Sequence, residues 1–311
     1  MSSTASTSAL SIAVIGSGRV GSAFAYQLRR AGHQVTVVAR PGSRRLTQLQ
    51  RDGGIVLAGG GRASLTVADH LDEQAPFDLV IVTVLAHQAV DVLPALQASR
   101  ARCIHFMFVT PEAALLRSAV GANRATFGMA AVLATLDSTG KLELSIPKTK
   151  GMHGDQRWVD LFEAAGMPSA LEEDMGRWLR SQVPLTIAME GVAVAGMQHQ
   201  RGATWAEART GAKTLRAGYA ILRGLGETPY PGVKNQISRA PRPLLTIILR
   251  AASGGRYRQT LGGSAEECRG LIDLLAAEGR RQPELRAAAD ALLALRPAEA
   301  GGSRTARSTR A

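Results

Sequence analysis

The chain has 311 residues, of which 45% are hydrophobic and 20% charged, enough apolar material for a packed core and too much for global disorder. At roughly 100–200 residues per domain, that length suits two domains. The formal net charge is +12, but five of the 37 basic residues are lysine and the other 32 are arginines spread along the chain. With aromatics at 4% and no basic block longer than pairs such as Arg29–Arg30, Arg44–Arg45 and Arg280–Arg281, nucleic acid is disfavoured as a partner. An affinity for small anions is the simpler reading of the charge.

No apolar run approaches the roughly 18 residues of a membrane span. The nearest, Val183–Met197, carries Glu190, so no membrane partner is expected. Residues 1–9 lack the basic flank and apolar core of a secretory signal. Cys103 and Cys268 are isolated, which suits neither a disulfide framework nor a thiolate zinc site. A cytoplasmic, reduced protein is the expectation.

Residues 1–9 and 297–311 are small, polar and aperiodic and read as disordered tails. Between them, residues 10–172 alternate short β-rich runs with helical stretches, a dinucleotide-binding domain by its motifs. Leu10–Ile15 is a strand ending in glycine, and Val20–Ala31 has helical spacing and stops at Gly32. Gln34–Ala39 is the second strand, with Arg44 and Arg45 in the loop after it. Leu79–Val84 and Cys103–Val109 are apolar but for Thr83 and His105, as strands covered on both faces of a parallel sheet are. Trp158–Ala165 adds a helix ended by Gly166. Strands alternating with helices predict an α/β fold, a Rossmann-type doubly wound parallel sheet. Residues 173–296 form an all-helical second domain for substrate binding or dimerisation, with helices over Met175–Gly196, Thr204–Gly224, Ser264–Gly279 and Glu284–Leu295.

The strongest local signal is Gly16-Ser17-Gly18-Arg19-Val20-Gly21, which follows a strand and opens a helix. Gly16 allows the tight turn, Gly18 leaves room for a pyrophosphate, and Gly21 lets the helix pack on the strand. The helix N-terminus then offers free N–H groups to phosphate. Arg19 either covers the phosphates or is a solvated helix-start residue. The second strand ends Val37-Val38-Ala39-Arg40, and no carboxylate lies between Gly32 and Asp52 to take the ribose hydroxyls of NAD. A guanidinium suits a 2′-phosphate, so NADP is expected, with Arg40 as the main contact and one of Arg44 and Arg45 assisting.

The segments IAVIGSGRVGSAFAYQLRRAGHQVTVVAR, RDGGIVL and DLVIVTVLAHQ, followed by a helical half, resemble the ketopantoate reductase (2-dehydropantoate 2-reductase) family. Asp174-Met175-Gly176-Arg177-Trp178-Leu179-Arg180 resembles the start of that family's long second-domain helix, and Ala265-Glu266-Glu267 with Gly279 its last segment. The resemblance implies hydride transfer from NADPH to a 2-oxo acid in pantothenate biosynthesis, with Val84 among the cofactor contacts and a homodimer possible. It makes Arg180 and Glu267 the catalytic candidates. The sequence departs from the family at several positions. Arg180 replaces a lysine, Pro184 and Ala188 replace two asparagines, Leu85 replaces a lysine, and Val109-Thr110-Pro111-Glu112 replaces an Asn-Gly. Ser253 lies near the family's serine. These changes point to a small anionic or carbonyl substrate other than ketopantoate, or to a dinucleotide-binding protein that has lost catalysis.

Arg180 can polarise a carbonyl or clamp a carboxylate, but as an arginine it does not give up a proton; the competing reading is a solvated helix-surface residue. A tyrosine, a histidine, Glu267 or water then supplies the proton. Glu190 reads as a carboxylate that faces the cleft or pairs with an arginine of the other domain, His87 as a residue at the ligand end of a strand, His105 as a hydrogen-bonded core residue and His199 as a cleft-lining or surface one. The six histidines show no metal-ligand spacing, so no metal is expected.

Overall fold

In the computed structural model, which describes residues 8–199, 202–254 and 264–298, the first apolar run forms β1 (Ser11–Ile15). The polar tails expected from the sequence lie outside the described residues, apart from 8–9 and 297–298. The chain divides into two units, Met1–Gln182 and Val183–Ala311. The division falls inside a long helix, α6 (Met175–His199), rather than at the change of composition at 172/173.

The first unit is built on an eight-stranded sheet. Strand β1 lies at its centre between β2 (Gln34–Val38) and β6 (Leu79–Val82) and is parallel to both. Beyond β6 come β7 (Ile104–Met107) and β8 (Ala125–Met129), also parallel, and beyond β2 comes β5 (Thr66–Ala68). The other edge is β11 (Gly151–His153), antiparallel to β8, and β12 (Ser169–Leu171), parallel to β11. Strand order reverses between β1 and β6, and an open parallel sheet offers a ligand crevice at the carboxyl ends flanking such a reversal. The central strands are buried on both faces, as their apolar runs require. On one face Ile12, Val14, Leu79 and Ile81 pack with Phe24 and Leu28 of α1 (Arg19–Arg30) and Phe162 of α5 (Gln156–Ala164). Phe24 meets Phe162 edge to face at 5.0 Å between ring centres.

Several elements depart from the expected ones. The run Leu79–Val84 leaves the ladder at Val82, and Cys103–Val109 is strand only over Ile104–Met107, because Phe108–Pro111 continue as a buried loop. Arg44 and Arg45 are not in a loop but in the first turn of α2 (Arg44–Asp52). The Ser43 hydroxyl accepts the Leu46 N–H, Leu46 and Leu49 anchor the helix, and Gly53 ends it in the left-handed region at φ +59°. Two short hairpins, β3–β4 (Gly54–Val56, Arg62–Ser64) and β9–β10 (Leu133–Leu136, Leu142–Ser145), carry too few residues each to announce themselves by alternation.

The second unit is helical over its described residues: the remainder of α6, α7 (Trp205–Gly224), α8 (Gly232–Arg239), α9 (Arg242–Ala252), α10 (Ala265–Arg280) and α11 (Arg286–Leu293). Thr204 and Glu207 form a reciprocal cap at the start of α7, and Ser264 caps α10, so two of the expected helix starts are capping residues. Gly218 of α7 lets that helix close on Pro184, since a Cβ there would stand 3.0 Å from the proline ring.

A chain of buried polar groups crosses the edge of the sheet in the first unit. The Ser169 hydroxyl donates to the Met167 carbonyl at 2.9 Å, so it accepts from His153 Nε2 at 3.3 Å. His153 Nδ1 then accepts from His105 Nε2 at 3.2 Å, and His105 Nδ1 accepts from the Thr126 hydroxyl at 2.8 Å. This order leaves both rings neutral. Phe162 lies against both, and Gly128 leaves them room, since a Cβ there would come within 2.6 Å of either ring. Burial holds both imidazoles below their ordinary value, with repulsion from His153 adding to the effect on His105; His153 is brought to about 4. The unfolded chain therefore binds protons that the folded one refuses. The stabilisation is whole above about pH 6.5 and falls as pH drops toward 4, by up to about 1.4 kcal/mol per pH unit for each ring. Urea unfolding at pH 7.5 and pH 5 should show this loss, and His153→Gln should make it shallower; an equal slope in both proteins would show that the pair does not titrate on unfolding.

Candidate dinucleotide site

The turn between β1 and α1 is set by contacts that only glycine permits at two positions. Gly16 has φ +101°, and a Cβ on it would meet the Thr83 hydroxyl at 2.8 Å. Gly21 lies so close to the turn that a Cβ would sit 1.8 Å from the Gly16 carbonyl oxygen. Gly18 differs from both. Its φ is −71°, open to any residue, and a Cβ on it would have no heavy atom within 4 Å. Nothing inside the fold requires glycine there, and the open space it faces fits the approach of a pyrophosphate.

The carbonyl groups of the turn point inward. The Thr83 hydroxyl, at the end of β6, donates to the Gly16 carbonyl at 2.9 Å and to that of Ile15 at 3.0 Å. The Ser17 carbonyl accepts from the Ser22 hydroxyl at 3.1 Å and from Arg45 Nε at 3.0 Å. In a trans peptide the N–H points opposite to the carbonyl, so the Ser17 and Gly18 N–H groups face outward. The first turn of α1 carries no acidic residue, and Gly18 provides no side-chain cap. Its N–H groups and the positive end of the helix are thus available to an anion.

Residues from four parallel strands share this edge of the sheet. Gly16, Ser17, Gly18, Arg19, Val20 and Gly21 follow β1, and Thr83, half-buried Val84 and Leu85 follow β6. Arg40 follows β2; it is exposed, and among the described residues its guanidinium has no partner. Arg44 is exposed on the first turn of α2. Arg45 is drawn inward: besides Ser17 it donates to the Ser22 hydroxyl at 2.7 Å, to the Gly140 carbonyl at 2.5 Å and to Gln48. Burial pulls its guanidinium below the ordinary value, and Asp52 nearby opposes that shift. Arg180 is half-buried and donates to the Pro111 carbonyl in the loop after β7, which brings it to the same edge. His87 is half-buried in the short turn Ala86–Gln88.

The second-unit candidates have defined places of their own. Glu267 is half-buried in the first turn of α10, its N–H capped by the Ser264 hydroxyl at 3.0 Å. Glu190 accepts the Ser264 N–H at 2.6 Å. Ser253 is wholly buried and spends its hydroxyl on the fold, accepting from the Ala203 N–H at 2.8 Å and donating to the Arg250 carbonyl at 2.7 Å. Ala188 is buried in α6, and Pro184 packs against Gly218. His199 is exposed and bonded to Glu207 at 2.8 Å, while His105 is buried in the chain described above. Among the described residues no group of three or more His, Cys, Asp or Glu could hold a metal, and no helix is long and apolar enough to cross a membrane.

Two residues that hold the turn from other elements, Thr83 and inward-facing Arg45, were not legible as such. The signal for Arg45 was available, since Ser43 with Leu46 and Leu49 is a capped amphipathic helix start that turns Arg45 away from solvent.

Residues 12–150 match the profile of the family described as ketopantoate reductase PanE/ApbA. No curated protein sequence matches the chain. Among solved structures, D-mandelate dehydrogenase in complex with NADH is similar, with 14% identity and a TM-score of 0.66 over 92% of this chain and 97% of that one. A PanE/ApbA family ketopantoate reductase from Ralstonia eutropha JMP134 is 17% identical with a TM-score of 0.66, covering 92% and 98%. A 2-dehydropantoate 2-reductase from Porphyromonas gingivalis W83 is 15% identical with a TM-score of 0.64, covering 91% and 98%. Each covers both units, so the order of a Rossmann-type unit followed by a helical one is common to all of them. Residues 12–150 thus match the ketopantoate reductase family, and the chain as a whole shares the fold of these solved structures, a Rossmann-type unit followed by a helical one.

Proposed function

We propose that the protein is an NADPH-dependent reductase of a 2-oxo acid or related carbonyl compound, with ketopantoate a poor substrate. The observation that carries the reading is the open, outward-facing turn at Gly18 beside exposed Arg40, with no carboxylate at the end of β2. In this reading the N–H groups of Ser17 to Gly21 hold the pyrophosphate, and Val84 lies along the cofactor. Arg40, with exposed Arg44, grips the 2′-phosphate. The chemistry a bound NADPH supplies is hydride delivery to the carbonyl carbon. Arg180 stabilises the developing alkoxide or holds the substrate carboxylate, and its fixed charge excludes it as proton donor. Glu267 is the carboxyl assigned to the proton.

A second reading, a dinucleotide-binding protein without turnover, is favoured by one set of observations. Pro184 and Ala188 are apolar where the family carries amides, and buried Ser253 has its hydroxyl proton committed to the Arg250 carbonyl.

Calorimetry should show tighter binding of NADPH than of NADH, and Arg40→Asp should narrow the preference about 10- to 100-fold, the worth of one charge-assisted contact. Equal affinities in the parent would overturn the NADP assignment. Gly18→Ala should leave the melting midpoint in place and lose the dinucleotide, whereas Gly21→Ala should destabilise the fold itself; Gly18→Ala binding as the parent does would overturn the turn as the phosphate site. NADPH oxidation across a panel of 2-oxo acids and other carbonyl compounds identifies the substrate. On that substrate Arg180→Ala should lower kcat/KM about 10²-fold, and Arg180→Lys should not restore it fully. Tight NADPH binding with no turnover on any of them would establish the second reading instead.

A further inference from the structure

Arg45 occupies the region where an arginine assisting Arg40 was expected, but its guanidinium is committed elsewhere. It reaches four acceptors at once: the Ser17 carbonyl, the Ser22 hydroxyl, the Gln48 side chain and the Gly140 carbonyl. These belong to the glycine turn, to α1, to α2 and to the turn of the β9–β10 hairpin. The hairpin end is itself fixed. Asp137 accepts the N–H groups of Thr139 and Lys141 at 2.8 and 2.9 Å, and Gly140 adopts φ +84° against Gln48, where a Cβ would stand 2.7 Å from the amide oxygen. Gln48 in turn donates to Asp52 at 2.6 Å.

The bond to Ser17 has a consequence at the other end of the same peptide. The Ser17–Gly18 peptide is trans, so a carbonyl held inward forces the Gly18 N–H outward, toward the open space that Gly18 faces. Thr83 does the same for the preceding peptide through the Gly16 carbonyl. Without Arg45, the Ser17 carbonyl keeps only the bond from Ser22, and that hydroxyl loses its own donor. Peptide rotation would then weaken the donor set that meets the pyrophosphate.

We propose that Arg45 is a positioning residue for the dinucleotide. It orients the Gly18 N–H through the Ser17 carbonyl, and ties the phosphate turn to the β9–β10 hairpin, without touching the 2′-phosphate. The proposal rests on the dinucleotide reading of the site. It separates two arginines that the sequence alone treats as interchangeable: Arg44 faces solvent beside the 2′-phosphate position, and Arg45 acts on the pyrophosphate common to NAD and NADP. Arginine suits the task because its planar fork reaches several acceptors at fixed angles, and lysine does not.

The test is calorimetric titration of the full-length protein with NADH and with NADPH, well below the melting midpoint of every variant. Arg45→Ala should raise both dissociation constants by a similar factor, about 10-fold or more, leaving the NADPH-to-NADH ratio unchanged. Arg40→Ala should weaken NADPH alone. Arg45→Lys should recover only part of the loss. Ser22→Ala should weaken both dinucleotides less than Arg45→Ala does, and should add little in the Arg45→Ala background. If Arg45→Ala does not fold, Arg45→Lys and Ser22→Ala carry the same comparison. A loss confined to NADPH would make Arg45 a 2′-phosphate contact and overturn the proposal. Unchanged dissociation constants with a lowered melting midpoint would overturn it too, leaving Arg45 as a brace of the fold. A parent protein that binds neither dinucleotide would instead overturn the reading on which the proposal rests.

Discussion

The first unit depends on one close approach, that of Gly21 in α1 to the Gly16 carbonyl at the end of β1. A single added Cβ would stand 1.8 Å from that oxygen, which no rotamer change relieves. The contact sets how near α1 lies to the sheet. It thereby places Phe24 and Leu28 against Ile12, Val14 and Ile81, and Phe24 in turn meets Phe162. It also leaves the Gly16 carbonyl pointing inward, where Thr83 reaches it from β6. Core packing and the outward presentation of N–H groups are therefore two results of the same geometry.

This is why the glycine turn was legible in the sequence and much around it was not. Each glycine answers to a constraint a few residues away, and the flanking strand and helix are strongly patterned. Central strands were legible too, because burial on both faces leaves an apolar run at Leu79–Val82 and one at Ile104–Met107 interrupted by His105. Their ends were not: Phe108 to Pro111 are as buried as the strand, but as a loop, and hydrophobicity alone does not distinguish the two. Strands of three residues such as β5, β11 and β12 are too short for any period to show. The place of Arg45 depends on Gly140, 95 residues away, and that separation carries no local signal.

The arginine-rich composition acquires a physical meaning in the structure. Part of the charge is not paired with acids but spent on backbone carbonyls. Arg124 alone donates to the carbonyls of Leu96, Gln97, Ser99, Ala101 and Val120, holding the ends of α3 (Ala89–Ala98) and α4 (Ala113–Val120) together. Arg29 clamps Ser64 and His33, Arg216 clamps Ala240, and Arg45 clamps Ser17 and Gly140. A helix C-terminus or a turn leaves carbonyl oxygens without partners, and a guanidinium with five donors satisfies several at once. Such arginines add net charge without implying a polyanionic partner.

The same economy bears on Arg180. A lysine there would offer three mobile donors on a flexible stem, free to turn to a substrate and to release a proton. Arg180 instead has one guanidinium nitrogen on the Pro111 carbonyl, in a loop that is buried almost throughout. That bond holds the guanidinium at the carboxyl edge of the sheet. A fork held this way favours a planar, two-oxygen partner over a single alkoxide. An arginine keeps its charge at any working pH, so this side chain, unlike a lysine, does not give up a proton. In the second unit, Pro184, Ala188 and Ser253 are absorbed into packing and backbone bonds, so these three positions serve the fold itself.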